Sequence, residues 1–153
     1  MTCLELKVPP LLLWIIFAVA IGVVGVTVPI APLEFAAQPW LASVFLLLGA
    51  AVVFLGVLAV KMAKTTVNPM QPDKASALVV TGIYRFTRNP MYLGMTLLLL
   101  GIALWFASSL GVLFALLFVG YLNRFQIIPE ERFLQASFGD TYSDYRQRVR
   151  RWL

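Results

Sequence analysis

The sequence contains no histidine and only one cysteine, Cys3, among its 153 residues. The missing histidine removes the commonest zinc ligand and the side chain that most often serves as a general base near neutral pH. A single cysteine cannot form an internal disulfide. We therefore expect no metal site, and any proton transfer must use a carboxylate, a tyrosine or water.

Charged residues are also scarce, since they make up 12% of the sequence while hydrophobic residues make up 61%. Soluble proteins average about 25% charged and about 45 to 50% apolar residues, so this composition indicates a membrane protein. The net charge of +5 raises the possibility of nucleic-acid binding. We exclude it, because a chain this apolar needs its basic residues for membrane orientation and for contact with anionic headgroups.

Four apolar segments are long enough to be membrane spans, at about residues 9–28, 40–60, 90–106 and 110–128. A helix needs roughly 20 residues to cross about 30 Å of hydrocarbon. A proline-rich loop at 29–39 and a short polar turn at 107–109 separate two pairs of these segments. We predict a single all-α integral membrane domain over residues 1–153, built as a bundle of about four transmembrane helices.

The basic residues predict how this bundle lies in the membrane. Lys7, the polar loop at 61–89 and the segment at 129–153 are basic, whereas residues 29–39 and 107–109 contain no Lys or Arg. Because Lys and Arg accumulate on the cytoplasmic side, we expect both termini and the 61–89 loop to be cytoplasmic.

The segment at 129–153 reads as amphipathic helices on the cytoplasmic face. Pro129 suits a first helical position, two glutamates follow in the first turn, and Gly139 is placed to end the helix. In the remaining stretch, tyrosines and Trp152 alternate with arginines. Such a helix would place its aromatic side chains at the membrane interface and its arginines among lipid phosphates.

The motif RNPMYLG at 88–94 lies where the polar loop meets the third apolar segment. The motif can be interpreted in two ways. It can be a helix start, because Asn89 and Pro90 are good residues for starting a helix. It can also be part of a binding site, because the same residues belong to a dense polar group. That group comprises Thr81, Gly82, Tyr84, Arg85, Arg88, Asn89 and Tyr92. The two tyrosines can supply ring faces for a base or a cation, so the motif is a candidate binding site.

A second candidate cluster combines Arg124, near the inner end of the fourth apolar segment, with Glu130 and Glu131. These residues can also be read as a snorkelling arginine and ordinary acids in a first helical turn. Both clusters fall on the predicted cytoplasmic side, at the ends of two neighbouring spans. Ionisable groups at that depth are candidates for a functional site.

The ordered pair of motifs resembles the isoprenylcysteine carboxyl methyltransferase-like family, which is itself similar to bacterial phospholipid methyltransferases. The resemblance covers about residues 61–153 and rests on R-N-P-x-Y-x-G, a hydrophobic hairpin, E-E-x-x-L and F-G-x-x-Y-x-x-Y. It implies a membrane methyltransferase that uses S-adenosyl-L-methionine, in the bacterial cytoplasmic membrane. The lipophilic acceptor would enter from the bilayer. The implied cofactor-binding residues are Gly82, Tyr84, Arg88, Asn89, Pro90, Tyr92, Glu130 and Glu131.

We predict catalytic roles for Arg124, which would hold an acidic acceptor or the cofactor's carboxylate, and for Glu131. The prenylcysteine enzymes have histidine where this chain has Asn89, which leaves the acceptor open. A carboxylate, an amine or a thiol would each be compatible, and the oligomeric state is open as well. A non-catalytic membrane scaffold or lipid-binding protein is the alternative. A transporter subunit is disfavoured, because the spans have no charge at their centres.

Overall fold

The structure is a computed structural model that describes residues 5–28, 32–63 and 77–153. Cys3, residues 29–31 of the predicted first loop and residues 64–76 of the predicted 61–89 loop lie outside the described residues. The described residues form five α-helices: α1 Pro10–Thr27, α2 Gln38–Met62, α3 Pro90–Trp105, α4 Ser109–Leu122 and α5 Ile128–Arg148. A 3₁₀ turn spans Gly82–Arg85, and a π-helical segment at Asn123–Ile127 joins α4 to α5.

The prediction of an all-helical membrane protein is confirmed. Three helices are long and apolar enough to cross a membrane: α1, α2 and the continuous element Ser109–Arg148 that contains α4. The fourth helix, α3, has 16 residues and a length of about 24 Å, which is short for a span. It is short because Pro90 starts it and because the chain turns at Ala107, whose φ is 50°.

Close backbone contact joins the antiparallel helices α2 and α3. A Cβ atom built on Gly94 would lie 2.7 Å from the carbonyl oxygen of Gly49 and 2.6 Å from Cγ2 of Val53. Gly56 likewise faces Pro90 and Met91 at the other end of the pair. Small residues let helices approach this closely, and van der Waals packing is a main source of helix association in lipid. Gly49, Gly56, Gly94 and Gly101 therefore serve packing, as their seven-residue spacing suggests.

The core lies where α1, α3 and α4 meet, and its centre is formed by fully buried apolar side chains. These include Ile21, Leu99, Ala103, Ala115, Phe118 and Leu122. Two polar side chains tie helices together: Trp14 donates to the carbonyl of Met95 at 3.0 Å, and Gln38 donates to the carbonyl of Leu104 at 2.7 Å. The outward faces of α1 and α2 are exposed and apolar, as expected for a lipid-facing surface.

The helix directions bring the basic residues of the described chain to one end of the bundle, which we call the basic end. The start of α1, the end of α2, the start of α3 and the end of α4 meet there, because α2 pairs with α3 and α1 with α4 in antiparallel fashion. At the opposite end, the amide of Leu33 donates to the carbonyl of Ala107 at 2.8 Å. The predicted motifs at 88–94 and 124–131 thus lie at the same end.

The junction between α4 and α5 differs from the expected helix start at Pro129. The chain passes from α4 through the π-helical segment into α5 with Ile127 and Ile128 in helical conformation. The amides of this turn are therefore not the free amides of a helix N-terminus. The expected stabilisation of Glu130 and Glu131 by the dipole of a helix that begins at Pro129 does not apply. Gly139 does interrupt α5, with φ 50° and ψ −124°, a conformation that favours glycine.

Candidate functional site

The structure brings the RNPMYLG motif and the glutamate pair into direct contact. An Nη1 atom of Arg88 lies 3.1 Å from Oε1 of Glu131, and the two side chains are only 9% and 12% exposed. The hydroxyl of Tyr92, in the first turn of α3, donates a hydrogen bond to the carboxylate of Glu130. Two neighbouring residues of α5 are therefore held by two residues of the motif, across the hairpin of α3 and α4.

Tyr142 and Tyr145 of α5 form one wall of this site. Arg88 donates to the hydroxyl of Tyr142 at 3.2 Å, and the hydroxyl of Tyr145 donates to the carbonyl oxygen of Tyr84 at 2.7 Å. Both side chains are buried, at 1% and 4% exposure. The sequence pattern predicts these tyrosines at the membrane interface, and for their side chains that prediction is wrong. Their spacing of three residues, which puts them on one helix face, was the available signal.

The residues after α5 lie against the motif and the glutamate pair. Among them, Arg151 makes most of the contacts with the site. Its guanidinium donates to both carboxylate oxygens of Glu131, at 3.0 and 2.7 Å. Its carbonyl oxygen accepts from the side-chain amide of Asn89 at 3.0 Å and from the hydroxyl of Thr87 at 3.3 Å. The hydrogen bond to Glu131 raises the pKa of Arg151, so this arginine stays charged. The sequence pattern predicts contact between the arginines of this segment and lipid phosphates, and it gives no sign of the contact between Arg151 and Glu131.

Asn89 precedes α3 as expected, but its side chain does not cap the helix. The side-chain amide instead reaches the carbonyl of Arg151, and the hydroxyl of Thr87 accepts from the Asn89 backbone amide at 3.2 Å. Pro90 is fully buried at the start of α3, beside Gly56. The motif is thus both a helix start and part of a polar network, so the two readings of the sequence are compatible.

Gly82 and Tyr84 occupy the 3₁₀ turn that leads to the motif. Tyr84 is buried against Ala59 and Val60 of α2, and burial raises the pKa of its hydroxyl well above the ordinary value. That hydroxyl is therefore neutral at physiological pH, and the ring packs as part of a small core. Gly82 has a φ of 59° and lies beside Ala59. Both residues adjoin the site through the backbone of the turn.

Arg124 lies in a different ion-pair cluster from Arg88 and Glu131. Its guanidinium is 3.1 Å from the carboxylate of Glu5, which also pairs with Arg132 at 3.4 Å. The side chain of Glu5 is 2% exposed, whereas those of Arg124 and Arg132 are 46% and 55% exposed. No described ion pair or hydrogen bond joins Arg124 to Glu130 or Glu131, the residues with which it forms the second predicted cluster, and the catalytic roles of Arg124 and Glu131 stay predictions.

Two features of the site fit a ligand that carries both an ammonium and a carboxylate. The Nε atom of Arg88 is buried and has no hydrogen-bond partner among the described residues. Glu131 accepts three hydrogen bonds or ion contacts from two arginines, and a carboxylate has about four acceptor positions. A donor and an acceptor position are thus left within one network. No cluster of His, Cys, Asp and Glu in the described part of the chain has the arrangement of a metal site.

The sequence profile of a family described as phospholipid methyltransferase matches residues 37–141, which is more than half of the chain. The chain belongs to the phospholipid methyltransferase family. The match runs from the start of α2 into α5 and includes the RNPMYLG motif and both glutamates. The recognition of this family group from the two motifs is confirmed, and membership supports a membrane methyltransferase in general terms.

Two relatives match parts of this family member. An uncharacterized protein of Haemophilus influenzae is 48% identical over 63 residues, which cover 41% of this chain and all of that protein. Protein-S-isoprenylcysteine O-methyltransferase of Schizosaccharomyces pombe is 33% identical over 78 residues, which cover 50% of this chain and 33% of the yeast enzyme. This chain therefore spans about a third of the yeast enzyme's length. No solved structure matches the chain.

Proposed function

We propose that this family member is an S-adenosyl-L-methionine-dependent methyltransferase whose acceptor is lipophilic or embedded in the membrane. The observation that carries the proposal is the buried Arg88–Glu131 pair, which joins two distant motifs into one site at the basic end. Apolar helices and a site at their ends suit an acceptor that reaches the site from the bilayer. We further propose a bacterial cytoplasmic membrane location, with the basic end cytoplasmic.

The donor and acceptor positions in the Arg88–Glu131 network suit the amino-acid end of this cofactor. The Nε atom of Arg88, which has no partner among the described residues, would donate to the cofactor's carboxylate. The remaining acceptor position of Glu131 would receive the cofactor's ammonium or a ribose hydroxyl. Asn89, Pro90 and Tyr92 would border the same site, with Gly82 and Tyr84 supporting them from the adjoining turn. When bound, S-adenosyl-L-methionine supplies a methyl group on a sulfonium, which leaves as a neutral sulfide on transfer.

The two glutamates of the site differ in the contacts that they already make. Both carboxylate oxygens of Glu131 contact arginine side chains, those of Arg88 and Arg151. Glu130 contacts only the Tyr92 hydroxyl among the described hydrogen bonds. If the acceptor is an amine or a thiol, we propose that the Tyr92–Glu130 pair takes its proton. A carboxylate acceptor requires no base, and its negative charge would need a cation such as Arg88 or, as predicted, Arg124.

Positioning accounts for much of the rate in such a reaction. Methyl transfer is an in-line displacement, so aligning the acceptor atom with the sulfonium in a site that excludes water lowers the barrier. Buried tyrosines and the buried ion pair form a water-poor wall on one side of the site. The lipid-facing helices supply the apolar side.

Calorimetric titration of the detergent-solubilised protein with S-adenosylhomocysteine tests this function. We expect binding in the micromolar range, because the network offers charged partners to both ends of the amino-acid group. ATP is a suitable control ligand, since it shares the adenosine but lacks that group, and it should not bind. Absence of binding at millimolar S-adenosylhomocysteine would contradict the proposal and favour a non-catalytic lipid-binding scaffold.

A further inference from the structure

Arg151 contacts two predicted cofactor-binding residues, one through a hydrogen-bond donor and the other through a hydrogen-bond acceptor. Its guanidinium donates to both oxygens of Glu131, and its carbonyl oxygen accepts from the side chain of Asn89. Glu131 belongs to α5 and Asn89 lies at the start of α3. One residue therefore fixes the orientation of a carboxylate and an amide that come from different helices.

We propose that Arg151 is a positioning residue for the cofactor site, acting through Glu131 and Asn89. The inference rests on the function proposed above. Without Arg151, the carboxylate of Glu131 would keep a single contact at Oε1, to Arg88, and would be free to rotate about its last side-chain bond. With Arg151, both oxygens are held in a bidentate arrangement, which fixes where the remaining acceptor position points. Arg151 is thus required for the geometry of the site and does not itself contact the cofactor.

The surrounding contacts show that the segment 149–153 is docked at several points, so that Arg151 is held in place. The carbonyl of Arg150 accepts from the backbone amide of Arg88 at 3.0 Å, and Trp152 donates to the side chain of Asn123 at 3.1 Å. The segment thereby spans the start of α3 and the π-helical segment. Arg151 lies beyond residues 37–141, the range that matches the family.

A double-mutant cycle on the full chain separates positioning from a general structural role. The four proteins are the unaltered chain, Arg151→Ala, Glu131→Gln and the double variant, each titrated with S-adenosylhomocysteine. We expect Arg151→Ala to weaken binding about tenfold, equivalent to about 1.4 kcal/mol. In the Glu131→Gln background, the same change should alter binding by less than about twofold. The guanidinium of Arg151 acts through the Glu131 carboxylate, which is already absent there, and the alanine variant keeps the backbone contact with Asn89.

Arg150→Ala is the matched control, since it removes an exposed arginine from the same segment and leaves the backbone contact with Arg88 in place. It should bind like the unaltered chain. Arg151→Lys covers the case in which the alanine variant does not fold. It keeps the charge and the carbonyl contact but loses the bidentate geometry, so its binding should be weaker than that of the unaltered chain.

Three results would overturn the inference. Equal losses from Arg151→Ala in both backgrounds would mean that Arg151 acts independently of Glu131. Unchanged affinity in both Arg151→Ala and Arg151→Lys would mean that it does not act on the site at all. If the unaltered chain does not bind S-adenosylhomocysteine, the proposed function fails and the inference fails with it, whereas the first two results leave the proposed function standing.

Discussion

Arg88→Lys is the substitution that best tests the assignment of the RNPMYLG motif to a binding site. One nitrogen of Arg88, Nη1, contacts both Glu131 and Tyr142. A second, Nε, is buried and has no partner in the part of the chain that the structure describes. Lysine keeps the positive charge but offers a single ammonium in place of the planar group. If the charge only orients the membrane protein, lysine is an adequate replacement.

The expected loss can be estimated from these contacts. A hydrogen bond to a charged group contributes about 1.5 to 3 kcal/mol, and lysine should keep the ion pair with Glu131 while losing the contact that Nε would make. We therefore expect binding of S-adenosylhomocysteine to weaken at least about tenfold, or about 1.4 kcal/mol. Stability should change by only about 1 kcal/mol, because Glu131 keeps both hydrogen bonds from Arg151 and is not left unpaired.

Titration calorimetry and thermal unfolding in detergent measure the two quantities separately. Arg85→Lys is the matched control, because Arg85 lies in the adjoining turn and is exposed. The control should change neither quantity. Affinity within about twofold of the unaltered chain in Arg88→Lys would refute the assignment. A loss of stability of about 3 to 5 kcal/mol, typical of a broken buried ion pair, would show that Arg151 does not compensate.

Three further predictions follow from the fold and the motif. Gly94→Ala should destabilise the helix pair by about 1 to 3 kcal/mol in thermal unfolding, since the new Cβ would meet the carbonyl of Gly49 at 2.7 Å. Gly120→Ala, where the new Cβ would meet no described residue beyond its own helix within 4 Å, should be neutral or slightly stabilising, and equal effects would contradict the packing argument. Asn89→Ser should weaken binding of S-adenosylhomocysteine, because serine cannot make the amide contact with Arg151, whereas unchanged affinity would reduce Asn89 to a helix start. Reporter fusions at Gln38 and Ser109 should both behave as external, and a cytoplasmic result at Gln38 would refute the predicted orientation.

The sequence determined the helical membrane class because apolar composition and segment length act locally. A run of about 20 uncharged residues is readable as a span without knowledge of its neighbours. The turn at 107–109 and the helix start at Pro90 were readable for the same reason, since proline and polar residues act on the adjacent backbone. The order of the two polar motifs was also sufficient to indicate the family, which the profile match confirms.

Only the tertiary structure decided which polar groups are partners. Arg124 and Arg88 look equivalent in the sequence, yet Arg124 pairs with Glu5 and Arg88 with Glu131. Helix directions and the π-helical junction set these pairs, and neither is encoded in local residue patterns. Arg151 illustrates the same limit: a basic residue near an amphipathic segment predicts lipid contact, but the docking of the segment beside Asn89 turns it toward the site. Pairing depends on distances between elements far apart in the chain, which a linear pattern does not contain.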